Sequence, residues 1–265
     1  MGCEAPSAWE DEVVLPCAGF LVSAHAPFSK EGRLNVGALD KEHRALSLQA
    51  IREYIERAAS VPALHTIVVH PCPRLWDETR GKEHPLEAVG DYEVFIRSLQ
   101  ELAQLCGELG LDLVMENNRA YWEGIPDDQP YDPERHDENV REYFGTSPES
   151  WAQVPRDVSA SNFGLCLDTS HSTTYAHRFA EAERAAVLER YLELGGERIW
   201  HVHWNDSILE GIEGRPDRHL PLGQGSLPTD HHRRIWNWPS ARSWTLEHWV
   251  DEETLVAELD FIKHL

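Results

Sequence analysis

The sequence predicts an α/β fold, a (β/α) barrel of the TIM type that is incomplete or irregular at its N-terminus. Short apolar segments typical of buried strands alternate six times with segments of helical periodicity. Each strand segment ends at a His, Glu or Asp, and the carboxyl ends of the strands form the active face of such barrels. The length of 265 residues suits one barrel domain spanning 1–265. No glycine-rich turn follows the first strand, which argues against a dinucleotide-binding doubly wound sheet.

The predicted strands are apolar runs rich in β-branched residues and bounded by Pro, Gly or polar residues. They lie at 21–25, 66–70, 111–116, 163–168, 199–203 and 243–247. An eight-strand barrel needs two further strands before residue 21. Residues 1–20 are mixed in character, contain Pro6 and Pro16, and are too few for two ordinary βα units. Either the barrel lacks its first units or the gene begins upstream.

The predicted helices follow their strands and carry recognisable end signals. Asp40 is a plausible N-cap for a helix that Pro62 closes, and Gly110 ends the next helix. Ser147 followed by Pro148 opens a short helix. The other helical segments are 87–109, 178–194 and 252–263.

Residues 119–146 form a Pro-, Asp- and Gly-rich insert that is too long for an ordinary βα loop. Such a length is typical of a functional lid, and a surface excursion without function is the alternative. The insert is acidic, through Glu123, Asp127, Asp128, Asp132, Glu134, Asp137 and Glu138. Its charge would repel a phosphodiester backbone at the mouth of the barrel.

The overall charge restricts the partners that the protein can bind. The formal net charge is −22, from 46 acidic residues against 24 Lys and Arg. Nucleic acid and anionic membranes are therefore disfavoured as partners. The acid-rich, lysine-poor composition also suits a protein adapted to a high-salt cytoplasm, in which case the charge reflects the solvent and not the partner.

The location is predicted to be cytoplasmic. The chain has no apolar run long enough for a membrane span, and its N-terminus lacks the pattern of a signal peptide. Its five cysteines are odd in number and form no Cys-x-x-Cys pair, which predicts free thiols in a reducing compartment.

Nine imidazole and carboxylate side chains lie at or just after the predicted strand ends. Any one of them could be a satisfied polar residue, but their joint occurrence predicts a bound divalent cation, because clustered groups of this kind are costly to bury without one. The absence of thiolates from the set suits Zn, Mn, Co or Fe. The nine are His25, His70, Glu116, Asp168, His171, His203, Asp217, His219 and Glu247. His201, two residues before His203, is predicted to be structural.

Seven motifs occur in order over roughly 21–265: SAHAPF, VVHP, VMENN, LCLDTSH, HVHWND, DRHLPLGQG and TLEHW. Through them the chain resembles the xylose isomerase-like TIM barrels, the AP endonuclease family 2 superfamily. That superfamily holds endonuclease IV and many sugar isomerases and epimerases. One departure is Gln224, which stands where a Glu is common.

The resemblance implies roles for the nine residues. Glu116, Asp168, His203 and Glu247 match the single-metal tetrad of the ketose epimerases, in which the two glutamates also form the acid/base pair. His171 matches a residue that binds a second metal or contacts substrate hydroxyls. The additional ligands of the three-zinc site in endonuclease IV are matched by His25, His70, Asp217 and His219. The implied cofactor is one to three divalent ions of Mn, Zn, Co or Mg.

Three functions are consistent with these residues and with the resemblance. The leading hypothesis is a metal-dependent isomerase or epimerase of a small sugar or polyol, with Glu116 and Glu247 transferring a proton. The second is an endonuclease IV-like zinc phosphodiesterase acting on abasic DNA or a small phosphodiester. The third is a non-catalytic barrel that binds a sugar or a metal, which the intact pair of glutamates disfavours. A homo-oligomer is compatible with each of them.

Substrate contacts are predicted for His171 and for aromatic side chains at the rim. Aromatic rings can stack on sugar faces, although packing between the barrel and its helices is an equally good explanation for any one of them. The predicted contacts are His171, Phe28, Trp122 and Trp204, with Trp76 and Trp249 as further rim residues.

Overall fold

The computed structural model describes residues 3–30, 32–76, 85–133 and 142–265, and seven parallel strands form its main sheet. These strands are β1 (Cys3–Ala5), β2 (Leu21–His25), β3 (Thr66–Val69), β5 (Asp112–Glu116), β7 (Phe163–Asp168), β8 (Ile199–His203) and β9 (Ser243–Thr245). They pair in chain order, which gives a nearly closed barrel whose two edges are β1 and β9. Two short strands, β4 (Pro73–Leu75) and β6 (Glu142–Tyr143), form a separate antiparallel pair.

Helices flank the barrel, and aspartate side chains cap several of them. Asp40 accepts a hydrogen bond from the amide of His43 at 2.7 Å, and Asp251 accepts one from that of Thr254 at 2.8 Å. The helices are α1 (Asp11–Val14), α2 (Lys41–Ala58), α3 (Tyr92–Glu108), α4 (Pro148–Val158), α5 (Thr169–Ala176), α6 (Glu181–Gly195), α7 (Thr229–Trp236) and α8 (Glu252–Lys263). Short 3₁₀ turns occur at Leu15–Cys17, Leu86–Ala88 and Gly196–Arg198.

The predicted barrel is confirmed, and its N-terminal part differs from the prediction. Residues 1–20 contain β1 and the four-residue α1, so the segment supplies one short strand of the barrel. The sequence signal was weak because β1 has only three residues, one of them Glu4. The helix predicted over 87–109 begins at Tyr92, because the side chain of Asp91 caps it by accepting from the amide of Val94.

The inner and outer faces of the strands have different roles. Alternate side chains such as Ile67, Leu113 and Leu165 point outward and pack under the helices in the main core. Inside the barrel, Val68, Val114, Cys166 and Trp200 form a small apolar layer. Since side chains two residues apart share a face, His70, Glu116 and Asp168 follow this layer at the carboxyl ends of their strands.

The described parts of the insert are tied to the barrel. The amide of Ala120 donates to Thr174 Oγ1 at 2.7 Å, and the indole of Trp122 donates to the carbonyl of Thr174 at 3.0 Å. At the far end, Glu142 pairs with Arg178 at 2.9 Å. The acidic residues Glu123, Asp127, Asp128 and Asp132 are exposed. Glu134, Asp137 and Glu138 lie outside the described residues.

Among the described helices, none combines the length and apolar character that crossing a bilayer requires. Four cysteine side chains are described, and all four are free thiols, as predicted. Cys17 is exposed, whereas Cys72, Cys106 and Cys166 are buried.

Candidate metal centre

The nine predicted ligands converge at the carboxyl end of the barrel. Five of them end or directly follow strands β2, β3, β5, β7 and β8, and His171 lies in the first turn of α5. Asp217 and His219 come from the loop after β8, and Glu247 follows β9 by two residues. Each of the nine lies within 4.0 Å of an oppositely charged or chargeable partner in the set.

Glu116 is the centre of this arrangement, and its side chain is only 1% exposed. Its Oε2 atom lies 2.9 Å from His70 Nε2 and 3.4 Å from His25 Nε2. Its Oε1 atom lies 3.0 Å from His203 Nδ1 and 3.4 Å from His171 Nδ1. Each carboxylate oxygen therefore faces two imidazole rings, which is the placement expected of a carboxylate that bridges neighbouring cations.

Among the described residues three groups of donor atoms could each hold an ion, and two of them consist of predicted ligands. The first comprises His25, Glu116, His203 and Glu247, whose donor atoms all lie within 4.8 Å of one another. Within it, Glu247 Oε2 is 3.1 Å from His203 Nδ1.

The second group comprises Asp168, His171 and His219, with donor atoms within the same 4.8 Å. Asp217 joins its two imidazoles, since its oxygens lie 3.2 Å from His171 Nε2 and 3.2 Å from His219 Nε2. The two groups are neighbours, because His171 also approaches Glu116.

Backbone carbonyls fix the orientation of several of the imidazoles. His25 Nδ1 lies 3.0 Å from the carbonyl of Ala26, and His219 Nδ1 lies 2.9 Å from that of Glu247. In both rings the Nδ1–H donates to the carbonyl, which leaves Nε2 as the donor atom that faces the cluster. This is the usual outer-shell arrangement of metal-binding histidines.

The family model for xylose isomerase-like TIM barrels matches residues 17–265. The chain belongs to this family. An uncharacterized protein of Methanocaldococcus jannaschii is 26% identical over 208 residues, which cover 78% of this chain and 56% of that protein. A probable endonuclease 4 of Geobacter sulfurreducens is 26% identical over 207 residues, which cover 77% of this chain and 60% of that protein. The chain thus spans less than two thirds of the length of these relatives.

Among solved structures, this xylose isomerase-like barrel is similar to a D-tagatose 3-epimerase-like protein. The TM-score is 0.66 at 19% identity, over 98% of this chain and 89% of the other. A likeness at this identity shows the fold alone.

The electrostatics of the site show how charge is balanced among these groups. Burial raises the pKa of a carboxyl group, but at this site the surrounding imidazoles have the larger, opposite effect. They hold the pKa of Glu116 well below its usual value and lower the pKa of Glu247 to about 2. Burial lowers the pKa of imidazoles, but the neighbouring carboxylates reverse this too. They raise the pKa of His171 and His203 well above the usual value and that of His219 to about 10. Protonated imidazoles therefore balance the carboxylates in the ion-free site.

The donor set fits a divalent cation. Glu247 Oε2 and Asp217 Oδ1 are buried and lack a well-directed hydrogen bond, although imidazole nitrogens lie 3.1 and 3.2 Å away. Bound cations would satisfy these oxygens and displace the imidazole protons. Nitrogen and carboxylate oxygen are ligands that Zn and Mn accept.

The ion-free protein is expected to lose stability as the pH rises from 7 to 10. A histidine whose pKa is raised in the folded state stabilises the fold, and its full contribution is present below its ordinary pKa of 6.5. The contribution is lost as the pH rises through the pKa in the folded state, which is about 10 for His219. Asp168, whose pKa burial raises to about 7, completes its ionisation at the lower end of this interval and adds only to the first part of the loss. The Tm of chelator-treated protein should decrease as the pH is raised from 7 to 10, whereas the Tm of ion-loaded protein should stay constant. Equal pH dependence of the two samples would contradict this account.

The aromatic residues predicted to contact substrate lie in different places. Phe28 stacks on His70, with ring centroids 4.9 Å apart, and so borders the centre. Trp122, in the insert, is 9% exposed. The guanidinium carbon of Arg215 lies over its ring, 4.3 Å from the ring centroid.

Trp204 is 1% exposed and is the one predicted contact that the structure places away from the site. Its indole donates to His232 Nδ1 at 3.0 Å, and its ring stacks on Trp236 at 5.7 Å. The side chain follows His203 directly, and alternation along the chain turns it outward into the helical layer. The substrate-contact prediction for Trp204 is therefore corrected to a packing role. The two further rim residues also differ, since Trp76 packs on Tyr121 and Tyr143 whereas Trp249 is fully exposed.

Glu4 is a site residue that the sequence pattern did not indicate. Its Oε1 atom lies 3.1 Å from His203 Nε2, and its Oε2 atom lies 3.1 Å from His201 Nε2. Glu4 lies between two small residues, and an alternating pattern of only three residues is too short to predict a strand. His201 is fully buried, and its Nδ1 contacts Ser243 Oγ at 2.7 Å, which agrees with a structural role.

Proposed function

We propose that this protein is a multinuclear metal-dependent phosphodiesterase that acts on a small phosphodiester. The observation that carries the proposal is the position of Glu116, whose two oxygens each face two imidazoles. A carboxylate so placed suits a bridge between cations. The sequence alone favoured a sugar isomerase first, and the contacts of Glu116 are the reason for preferring the second hypothesis.

A proton-transfer role would require a carboxylate oxygen that can reach a substrate carbon. Both oxygens of Glu116 have imidazole nitrogens within 3.4 Å, so neither is free to approach one. A single-ion tetrad also leaves His25, His70, Asp217 and His219 without a metal-binding role. Their burial in a polar cluster would then have to be offset by contacts with a substrate.

Bound divalent ions would supply an activated water and would neutralise the charge that develops on the phosphate and the leaving oxygen. The protein's own part is to hold the donors in fixed positions and to border the reaction centre. Phe28 covers one side of His70 and limits access of water from that direction. Arg119, near Asp217 and over the ring of Tyr121 at 4.6 Å, can attract an anionic substrate to the mouth.

A small substrate is preferred to duplex DNA because of the charge of the protein. The net charge of −22 and the exposed acids of the insert oppose association with a long polyanion. Cleavage at abasic sites therefore stays an outcome of the test.

A sugar isomerase or epimerase remains a second candidate because of one feature. Glu116 and Glu247 lie 3.0 and 3.1 Å from the same atom, His203 Nδ1. Three of the four residues of a single-ion tetrad therefore have their donor atoms close together. In this case Glu247, whose side chain is 32% exposed, would be the carboxylate available for proton transfer.

Metal analysis combined with a substrate screen tests the proposal. We expect more than one Zn or Mn ion per chain and hydrolysis of bis(p-nitrophenyl) phosphate that a chelator abolishes. The screen should include a duplex with one abasic site and a panel of ketoses. One ion per chain with ketose turnover would establish the isomerase instead, and binding without any turnover would favour the non-catalytic barrel.

A further inference from the structure

Glu4 places a carboxylate inside the barrel, below the metal centre. It is reached from β1, the edge strand, and it contacts two imidazoles of β8. The side chains of His201 and His203 are 0% exposed, and that of Glu4 is 8% exposed. The match to the family model begins at residue 17, so Glu4 lies outside the matched residues.

A buried carboxylate is unfavourable unless charged or hydrogen-bonding partners compensate it. Glu4 divides its two oxygens between two rings, each at 3.1 Å. His201 is also held on its other side by Ser243, so that ring acts as a fixed support. The contact to His203 is then the one that reaches the metal centre.

The two nitrogens of His203 face opposite ways. Nδ1 faces Glu116 and Glu247, at 3.0 and 3.1 Å. Nε2 lies 3.1 Å from Glu4 Oε1, an ion-pair distance without a well-directed hydrogen bond, and Glu4 is thus the carboxylate beside it. A ring that ligates through Nδ1 must carry its proton on Nε2, and a carboxylate at Nε2 both selects that tautomer and raises the basicity of the ligating nitrogen.

We propose that Glu4 is a positioning residue that holds His203 with Nδ1 directed at the metal centre, in a carboxylate–histidine–metal relay. Glu4 does not touch the ion. This inference rests on the metal centre of the proposed function and is independent of the reaction that the centre catalyses.

A competing arrangement uses the same side chains differently. Donor atoms of Cys166, His201 and His203 lie within 4.8 Å of one another and are buried. If an ion were held there, Glu4 would be its ligand and not a support for His203. The two arrangements predict different stoichiometries.

The test compares Zn affinity, by competition with a chromogenic chelator, and Zn content, by elemental analysis, in the native chain and four variants. Glu4→Gln keeps the shape of the side chain and removes its charge. His201→Gln and Cys166→Ala probe the interior alternative. Glu189→Gln is the matched control, because Glu189 pairs with the buried His231 at 2.8 Å, in a contact that does not include any of the nine ligands.

We expect Glu4→Gln to weaken Zn affinity by about 10–100-fold with an unchanged number of ions at saturation. The variants of His201, Cys166 and Glu189 should change the affinity less. Native affinity in Glu4→Gln, or loss of one ion from both Glu4→Gln and Cys166→Ala, would overturn the inference.

If Glu4→Gln does not fold, Glu4→Asp replaces it, since the shorter carboxylate cannot reach both rings. Native affinity in Glu4→Asp would likewise count against the inference. A native chain that binds no ion would instead refute the proposed function.

Discussion

Replacement of Glu247 by Gln is expected to reduce phosphodiesterase turnover by about 10²–10³-fold, the effect of removing one preorganised charged group from a reaction centre. Glu247 Oε2 lies 3.1 Å from His203 Nδ1 and 3.6 Å from His219 Nδ1, so the substitution removes a negative charge that both groups of donors would share at that edge. The fold should be retained, because the side chain is 32% exposed and lies in a loop. Steady-state hydrolysis of bis(p-nitrophenyl) phosphate measures the loss.

The control for this variant is Glu149→Gln. Glu149 is exposed on α4 and pairs with Arg190 on α6, outside the centre. Its substitution should leave turnover unchanged. Native activity in Glu247→Gln would remove Glu247 from the mechanism in the phosphodiesterase and the isomerase alike.

The double variant Asp217→Asn, His219→Gln is expected to lower the number of bound ions and to abolish phosphodiesterase activity. Both residues come from one loop, and Asp217 is within 3.2 Å of both His171 and His219, so the second group of donors depends on them. The first group, around Glu116 and His203, contains neither residue and should keep its ion. Elemental analysis of the purified variant measures the change.

This variant separates the one-ion from the multinuclear hypothesis. If the native chain and the double variant hold equal amounts of metal, Asp217 and His219 are substrate contacts and the centre is mononuclear. Single Asn and Gln substitutions at the two positions then show which residue matters. The exposed acid Asp128, changed to Asn, is the matched control for loss of one negative charge in the insert.

The barrel could be predicted from the sequence because its strands are long enough to show a clear apolar pattern. The ends of β5, β7 and β8 lie within one residue of the predicted positions. β1 escaped prediction because three residues carry too little periodicity, and with it Glu4 was missed. Pairing of β1 with β2 is a tertiary contact that local pattern does not encode.

Two eight-residue helices were also missed, for a different reason. α5 consists mainly of Ser, Thr and His, and its helix signal comes from a cap and not from apolar spacing. α7 reads TDHHRRIW and presents few apolar residues. The nine predicted ligands could be selected because parallel strands bring their carboxyl ends together. Their division into two groups around Glu116 required side-chain positions that spacing alone does not determine.

Asp168 has two tasks at the carboxyl end of β7. Its Oδ1 accepts a hydrogen bond from the amide of His171 at 2.6 Å and so caps α5, which leaves Oδ2 as the oxygen with room for an ion. The same cap fixes the backbone of His171, another predicted ligand. We therefore expect ion binding and the order of this first helical turn to be coupled, so hydrogen–deuterium exchange at the amide of His171 should be slower in ion-loaded protein than in chelator-treated protein.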